Sequence, residues 1–248
     1  MAPATWVERF DRGRARLTVR GRASAHWLDL ARTPLLTCGI LAGVLYVAMT
    51  LFVGLRWEGY SAADQTISEL SAIGAPTRPL WTVLGTIYSA LMIGFGWIVW
   101  TSAPHRPLRI AGALLFAQTV FGIFWPPMHQ RVVLAAGGGT LTDTLHIVWT
   151  ISTGVFFMGA LGFGAAGFGK RFRLYSLATM AIVFACGAWT GTYAPAIQAD
   201  MPTPWVGVWE RLNTNAFMVW IAVLAIALMR VPQPMVTDAR RAQRARYE

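Results

Sequence analysis

The sequence predicts an all-α integral membrane protein built around a bundle of six membrane-spanning helices. Hydrophobic residues make up 55% of the 248 residues, charged residues make up only 13%, and the mean hydropathy is +0.48. A chain with so little charge cannot cover a water-exposed surface. Its apolar stretches are continuous rather than alternating, which argues against a membrane β-barrel.

Six apolar stretches have the roughly 20 residues that a helix needs to cross a bilayer core of about 30 Å. They belong to a transmembrane domain over 35–229, which lies between a basic N-terminal segment, 1–34, and a basic tail, 230–248. In the segment 1–34 arginines alternate with large apolar residues, which favours an interfacial amphipathic helix. The predicted spans are 35–55, 80–101, 110–127, 145–168, 174–196 and 211–229.

The distribution of positive charge predicts the orientation in the membrane. All but four of the 21 Lys and Arg residues fall in the terminal segments or in the connections 102–109 and 169–173. The positive-inside rule therefore predicts that both termini are cytoplasmic, as in a multi-pass protein of the cytoplasmic (inner) membrane. The basic ends predict contact with anionic lipids rather than nucleic acid, because no nucleic-acid-binding motif accompanies them. The remaining four are Arg56, Arg78, Arg131 and Arg211.

The longer connections all fall on the predicted outer side. They cover 56–79, 128–144 and 197–210, and long connections that are not linkers tend to be functional or to pack as lids. The first contains TISELSAIGAP, in which apolar residues recur at helical spacing from Ile67. A cap at Thr66 or Ser68 and the following Gly-Ala-Pro predict a short, half-buried helix. We expect this structured outer loop, 56–79, to be a lid or wall of an outer pocket.

Ionisable residues also gather on that side. Polar groups at membrane depth are costly and usually face a cavity or a partner, so eleven of them on one side predict a single convergent site. They are Glu58, Asp64, Glu69, Arg78, His129, Arg131, Asp143, His146, Asp200, Glu210 and Arg211.

The motif TDTLHIVW provides the first candidate for chemistry. Asp143 and His146 are three residues apart at the start of the fourth span, so they lie on one helix face. A carboxylate at this offset can orient an imidazole and raise its basicity, which predicts a general base or proton relay. Glu69 would supply a second carboxylate. The alternative is a helix cap at Asp143 or Thr142 and a histidine with a structural role.

The motif FWPPMHQR provides the second candidate. Its two prolines end the third span and present His129 and Arg131 near the outer surface. Arg131 would bind an anionic headgroup. No cofactor is predicted. A divalent metal held by the histidines and carboxylates of this side stays an open alternative, because these groups suit zinc but lack a recognisable spacing.

The motif VWERLNTNAFMVW opens the last span. Glu210 and Arg211 predict either substrate contacts or a structural clamp in which Arg211 pairs with Glu69 or Asp143. Asn215 lies one turn deeper and is predicted to form a hydrogen bond across helices. Trp149 is one of several outer tryptophans, which predict an apolar pocket wall or an ordinary interfacial belt.

Two of these motifs carry a family resemblance. The stretch GYSAADQTISELSAIGAPTRPLW, followed by five more spans and TDTLH, resembles the six-span prokaryotic membrane proteins of domain-of-unknown-function family 998 (DUF998). The likeness covers residues 38–229, with Ser71 where glycine is expected. The pattern is distantly similar to the eukaryotic Frag1/DRAM/Sfk1 group, which has an ISD loop where this chain has Glu69. That likeness implies a role in membrane-lipid homeostasis.

Three functions follow from the sequence. The first is an enzyme that acts on a lipid or isoprenoid-like substrate by acid/base chemistry in an extracytoplasmic polar pocket. The second is a non-catalytic protein that binds lipid or stabilises a partner. The third is a small transporter, which is disfavoured because no charged residue stands at mid-bilayer and no inverted repeat is visible. Membrane lipids are the expected partners in each case, and the oligomeric state is left open.

Overall fold

Eight α-helices and one short 3₁₀ helix make up the described part of the chain. The computed structural model describes the backbone of residues 6–231 and the side chains of residues 30–231. Helix accounts for 77% of this part and no strand occurs in it, which confirms the predicted all-α class. The elements are α1 Trp6–Gly54, the 3₁₀ helix Ile67–Ser71, α2 Arg78–Ser102, α3 Arg106–Ile123, α4 Arg131–Ala135, α5 Leu141–Ala165, α6 Lys170–Thr192, α7 Ala194–Gln198 and α8 Val206–Met229.

The six long helices form a closed ring. Each of them packs against the next one along the chain, and α1 packs against α8. One end of the ring carries only the short connections 103–105 and 166–169, which hold α2 beside α3 and α5 beside α6. The opposite end, which we call the loop end, carries the connections 55–77, 124–140 and 193–205. The predicted grouping of non-helical material on one side is therefore observed.

Large apolar side chains fill the interior of the ring. The ring of Phe157 on α5 stacks on that of Phe217 on α8, with centroids 3.7 Å apart. Trp220 is fully buried, and its indole N–H donates to the Ser176 hydroxyl on α6 at 2.9 Å. A buried N–H without a partner would cost free energy, so this bond allows a large indole to fill the core.

Five helical stretches are long and apolar enough to cross a membrane. They are Leu30–Gly54 of α1 and the whole of α2, α5, α6 and α8, which agrees with a multi-pass membrane protein. Helix α3 is not among them, because Arg106 and Arg109 near its start lower the mean hydropathy of its 18 residues. The count of six spans and the cytoplasmic location of both ends stay predictions.

Several helices begin before the membrane spans predicted within them. The spans predicted from 145, 174 and 211 lie in helices that start at Leu141, Lys170 and Val206. Their first turns carry charged or capping residues, which lower the local hydropathy although they favour the start of a helix. Helix α3, which covers most of the span predicted to reach 127, ends at Ile123, because the prolines at 126 and 127 cannot continue a helix.

The first helix crosses the predicted boundary between segment 1–34 and the first span. It runs without a break from Trp6 to Gly54 and contains Pro34. The amphipathic character predicted for residues 1–34 depends on side chains before Leu30, which lie outside the described side chains. Most of the predicted basic tail, 230–248, also lies outside the described residues.

The contact between α2 and α3 is tight enough to require glycine. A Cβ added to Gly112 would lie 2.3 Å from the backbone nitrogen of Trp100 and 2.7 Å from the carbonyl carbon of Val99. We expect Gly112→Ala to push the helices apart and to destabilise the fold by about 1–3 kcal/mol, as overpacking does. Thermal unfolding in detergent measures this change.

The matched control is Gly162→Ala on α5, because a Cβ there meets no atom within 4 Å. Alanine favours a helix interior over glycine by roughly 0.5–1 kcal/mol, so this variant should keep or raise the melting temperature. Equal melting temperatures for the two variants would contradict the tight contact.

Candidate functional site

The first connection of the loop end folds into a compact unit. Thr66 begins the 3₁₀ helix, and its N–H and hydroxyl both donate to the Glu69 carboxylate, at 2.7 and 2.9 Å. This reciprocal cap is the arrangement that the TISE sequence favours. Ile67 and Leu70 are buried beneath it, so the predicted short, half-buried helix is confirmed in its 3₁₀ form. Gly74, with φ 89°, turns the chain after the helix.

Glu69 is held by a bidentate ion pair with Arg131. Nε and Nη2 of Arg131 donate to the two carboxylate oxygens at 2.6 and 2.8 Å. The Gln65 side chain adds a donor at 3.2 Å, so five donor atoms surround a carboxylate that is only 2% exposed as a residue. A buried charge is tolerated when it is paired and fully hydrogen-bonded, and both conditions hold.

Arg131 also joins all three connections of the loop end. Its Nη1 donates to the Thr203 hydroxyl at 2.8 Å, and its Nη2 donates to the Asp64 carbonyl at 3.3 Å. The Thr203 hydroxyl in turn donates to the same carbonyl at 2.7 Å. A planar guanidinium with five N–H groups suits this task better than a lysine ammonium. One side chain therefore fastens the second connection to the first and the third.

Asp64 fastens the first connection to the start of α8. Its carboxylate accepts the Trp205 N–H at 3.0 Å and the Ser61 hydroxyl at 2.9 Å. The hydrogen bond from the Trp205 N–H, and to a smaller extent the one from the Ser61 hydroxyl, holds the pKa of the exposed Asp64 carboxyl below its usual value. Trp205 has φ 67°, a left-handed conformation that is unfavourable for tryptophan. The bond to Asp64 is one contact that maintains it.

Arg211 has no carboxylate among its hydrogen-bond partners in the described residues, contrary to the predicted pairing with Glu69 or Asp143. Its Nη1 donates to the carbonyls of Ala62 and Gln65 at 2.7 and 3.2 Å, and its Nη2 donates to the Tyr60 hydroxyl at 2.7 Å. Loop carbonyls meet the cation here because the connection folds directly over α8.

Tyr60 is the hydroxyl partner of Arg211 in this contact. Burial raises the pKa of Tyr60 to about 12, although the adjacent Arg211 cation opposes that shift. The phenol therefore stays neutral at physiological pH, and its hydroxyl donates a hydrogen bond to the carbonyl of Thr66 at 2.9 Å. Tyr60 is not among the predicted site residues.

Glu210 lies under the 3₁₀ helix. Its carboxylate accepts the backbone N–H of Ile67 and, at 3.4 Å, the hydroxyl of Ser68. It sits in the second turn of α8 rather than the first, because α8 begins at Val206. Its carboxylate therefore interacts with the start of the 3₁₀ helix rather than with the start of its own helix. Glu69 and Glu210 hold the same short helix from two sides.

Asp143 contacts His129 instead of His146. Its Oδ2 lies 2.9 Å from His129 Nδ1, and its Oδ1 accepts the His129 backbone N–H at 2.7 Å. Oδ2 also accepts the N–H of Thr140, which caps α5. The cap residue of α5 is Thr140 and not Asp143 or Thr142, as the alternative had it, because the helix begins at Leu141; Asp143 takes part in the cap as its third residue and contacts an imidazole as well. The Asp143 side chain is 13% exposed and the His129 side chain is 16% exposed.

His146 has a different partner. Its Nδ1 lies 2.7 Å from the carbonyl of Pro126, and its ring stacks on Trp149 with centroids 6.2 Å apart. The prediction that Asp143 orients His146 is wrong, since the kink of the chain at the two prolines brings a carbonyl to the imidazole first. A carbonyl can only accept, so Nδ1 carries the proton and Nε2 of the neutral ring is an acceptor.

The segment Pro126–Arg131 connects these contacts. Pro126 meets α5 through His146, His129 meets it through Asp143, and Arg131 meets the first connection through Glu69. The Ile73 N–H also donates to the carbonyl of Met128 at 2.7 Å. Eight of the nine predicted site residues, all but Asn215, therefore belong to one assembly at the loop end, which Trp149 joins through His146.

Two further predictions concern the hydrogen bond of Asn215 and the alternative of a metal site. The hydrogen bond across helices comes from Asn213, whose Nδ2 donates to the Val183 carbonyl at 2.7 Å, while Asn215 Oδ1 is buried and has no partner in the described part of the chain. Among the side chains of residues 30–231, no group of three His, Cys, Asp or Glu residues is placed to hold a metal ion. The sequence does not show whether Asn213 or Asn215 faces the neighbouring helix, because that depends on the rotation of α8 about its axis.

The chain matches a known protein family over most of its length. A model described as a protein of unknown function (DUF998) matches residues 40–227, which includes α2 through α7 and nearly all of α8. The chain belongs to the DUF998 family. No curated protein and no solved structure matches it. The distant similarity to the Frag1/DRAM/Sfk1 group stays a prediction.

The ion pair of this DUF998 protein should dominate the stability of the loop end. We expect Glu69→Gln to leave the Arg131 cation buried without its counter-charge and to cost about 3–5 kcal/mol. Replacing both residues, as Glu69→Gln with Arg131→Gln, should cost less than the sum of the single changes. Chemical or thermal unfolding in detergent measures each variant.

The control for this cycle is Arg56→Gln, which removes an exposed arginine at the same end. Surface substitutions usually change stability by less than about 0.5 kcal/mol. An additive double variant, or single variants as stable as Arg56→Gln, would show that Glu69 and Arg131 are not coupled.

Asp64 should make the loop end sensitive to acid. Its pKa is lower in the folded than in the unfolded chain, so its stabilisation is complete above its usual pKa and is lost as the pH falls through and below about 4. Asp64→Asn keeps an acceptor oxygen but does not titrate. The melting temperature of the wild type should therefore fall more steeply on acidification than that of Asp64→Asn. Parallel curves would contradict this role.

Proposed function

We propose that this DUF998 protein acts on a membrane lipid at its loop end by acid/base chemistry, with His129 and Asp143 as the reacting pair. The observation that carries the proposal is the contact of 2.9 Å between His129 Nδ1 and Asp143 Oδ2. A carboxylate beside one imidazole nitrogen fixes the proton there and leaves the lone pair on the other nitrogen. Nε2 of His129 is then the base.

The geometry of Asp143 supports a stable pair. The carboxylate also accepts two backbone N–H groups, those of Thr140 and His129, so it cannot rotate away from the imidazole. When Nε2 takes a proton from a substrate hydroxyl, the adjacent negative charge stabilises the imidazolium. Part of both side chains stays exposed, which agrees with access by a substrate.

The proposal gives the other charged residues a positioning role. Glu69, Arg131, Glu210 and Arg211 all make hydrogen bonds within the loop end. A carboxylate that accepts a bidentate guanidinium is a poor general base, and a guanidinium in that state is a poor headgroup ligand. Their function would be to hold the segment that carries His129 at a fixed place above the bundle.

The charge distribution along the chain supports the proposed setting. With both termini in the cytoplasm and α3 crossing the membrane together with the five candidate spans, the loop end faces the non-cytoplasmic side of the inner membrane. The substrate would then enter from the outer leaflet, and a lipid or isoprenoid-like molecule would bring its polar group to the level of His129.

A second candidate is a non-catalytic lipid-binding or partner-stabilising protein. The observation that favours it is the extent to which the acidic groups already have hydrogen-bond partners, since Glu69 accepts from five donor atoms and Asp143 accepts the N–H groups of Thr140 and His129. In this case the ion pairs serve only to close the bundle.

The decisive experiment incubates the purified protein with a total membrane lipid extract and follows the lipids by mass spectrometry. We expect His129→Asn to reduce conversion roughly 10²–10⁴-fold, which is the usual contribution of a general base. Asparagine keeps an N–H near the position of Nδ1 and removes Nε2. The control His105→Asn changes an exposed histidine at the opposite end.

The outcomes separate the two candidates. Conversion that survives in His129→Asn excludes this residue as the base. A wild-type protein that converts nothing but retains a defined lipid through purification favours the non-catalytic candidate. A protein that neither converts nor retains lipid contradicts both.

A further inference from the structure

Three polar atoms along one face of α5 take part in no hydrogen bond among the residues that the structure describes. They belong to His146, Trp149 and Thr153, whose spacing of three and four residues puts them on a single side of a helix. Trp149 Nε1 and Thr153 Oγ1 are buried and have no hydrogen-bond partner among the residues that the structure describes. Such atoms are rare in native proteins, and each one requires an explanation.

Thr153 departs from the habit of the other hydroxyls in these helices. Thr119, Thr150 and Thr190 each donate to the carbonyl four residues earlier, at 2.8, 2.9 and 2.9 Å. That bond satisfies a hydroxyl in an apolar setting without help from another helix. Thr153 makes no such bond, so its buried hydroxyl is left without a partner within the described residues.

His146 adds an acceptor to this face. The residue is 8% exposed, and Pro126 occupies Nδ1, so the available nitrogen is Nε2. The face therefore offers N–H and O–H donors at Trp149 and Thr153 and an acceptor at His146. They extend over about 10 Å, since a helix rises 1.5 Å per residue.

The neighbouring surface of α3 is apolar and adjoins the lipid-facing side. Phe121 stacks on Trp149 with centroids 6.3 Å apart and is 37% exposed. A Cβ on Gly122 would lie 3.8 Å from Gln118 Nε2 and 4.0 Å from the Trp149 indole. Gln118 thus adds an uncharged amide to the same region. The indole of Trp149 is only partly buried as a whole, although its N–H is fully buried.

We propose that the face of α5 formed by His146, Trp149 and Thr153 binds an uncharged glycerolipid that has a free hydroxyl group. Its ester carbonyls accept from Trp149 and Thr153, and its hydroxyl donates to His146. The absence of ionised groups from these three side chains matches a headgroup without charge. The inference goes beyond the proposed function, because it assigns a lipid-binding face on α5 in which the hydroxyl is engaged by His146 rather than by His129.

The test measures binding of a diacylglycerol to the delipidated full-length protein in detergent by native mass spectrometry. Phosphatidic acid with the same acyl chains is the matched lipid, since it replaces the hydroxyl by a charged phosphate. We expect diacylglycerol to bind at least about tenfold more tightly than phosphatidic acid, which corresponds to one or two hydrogen bonds.

The sharpest variant is Thr153→Val, which keeps the shape and removes only the hydroxyl. It should weaken diacylglycerol binding roughly threefold to tenfold, while the melting temperature of the lipid-free protein stays the same or rises, because an unpaired buried hydroxyl is removed. The control Thr86→Val removes an exposed hydroxyl of α2 that donates to the carbonyl of Thr82. It should leave binding unchanged.

A second variant, His146→Asn, keeps a donor for the Pro126 carbonyl and removes the acceptor Nε2. It should also weaken diacylglycerol binding. The proposal is overturned if Thr153→Val and His146→Asn bind diacylglycerol as the wild type does, if phosphatidic acid binds equally well, or if the wild type binds neither lipid and the unpaired atoms hold only water. These outcomes are independent of His129→Asn, which should bind diacylglycerol normally whether or not it loses conversion.

Discussion

The buried carboxylate of Glu69 is the constraint on which the loop end depends. Removing a carboxylate from water costs several kcal/mol unless charge and hydrogen bonds replace the solvent. Its five donor atoms come from Gln65 and Thr66 on the first connection and from Arg131 on the second. The same Arg131 holds Thr203 on the third connection. Three chain segments far apart in sequence therefore have to meet at one point for a single charge to be buried.

This requirement explains why the loop end is ordered although it contains little regular structure. The helices of the ring are held by apolar packing along their lengths, and that packing does not determine the path of the connections. The path is determined by charge-assisted bonds, namely Glu69 with Arg131, Glu210 with Ile67, and Arg211 with the carbonyls of Ala62 and Gln65. Bonds of this kind are stronger and more directional than neutral ones. They hold the connections in place over one end of the bundle.

The parts of this arrangement that follow from sequence are those that depend on local pattern. The all-α class, the long helices, the grouping of connections at one end and a capped short helix, with Thr66 or Ser68 as the cap, were predicted. Hydropathy does not report the polar first turns, so the predicted spans begin inside the helices. The ISEL motif shows that Glu69 can cap its own helix, but nothing in it reveals a partner 62 residues away at Arg131.

The site residues were harder to assign than the helices, because partner choice depends on distances that sequence spacing does not contain. Asp143 and His146 have an offset that favours a contact, yet the two prolines at 126 and 127 bring His129 to the carboxylate and a carbonyl to His146. Arg211 binds backbone carbonyls and the Tyr60 hydroxyl, and the sequence does not show which carbonyls or hydroxyls a guanidinium will meet in place of water. Contacts between ionisable residues were thus predictable as a group and not pair by pair.

The two histidines illustrate how a partner determines the chemistry of an imidazole. Both have Nδ1 engaged, so both present Nε2, but His129 faces a carboxylate and His146 faces a carbonyl. A carboxylate has a net charge that stabilises an imidazolium, whereas a carbonyl in a buried setting offers only a dipole. His129 is thereby suited to proton transfer, and His146 to accepting a hydrogen bond while neutral. A protein that has both at one end of a membrane bundle therefore has one imidazole suited to accept a proton and another suited to accept a hydrogen bond.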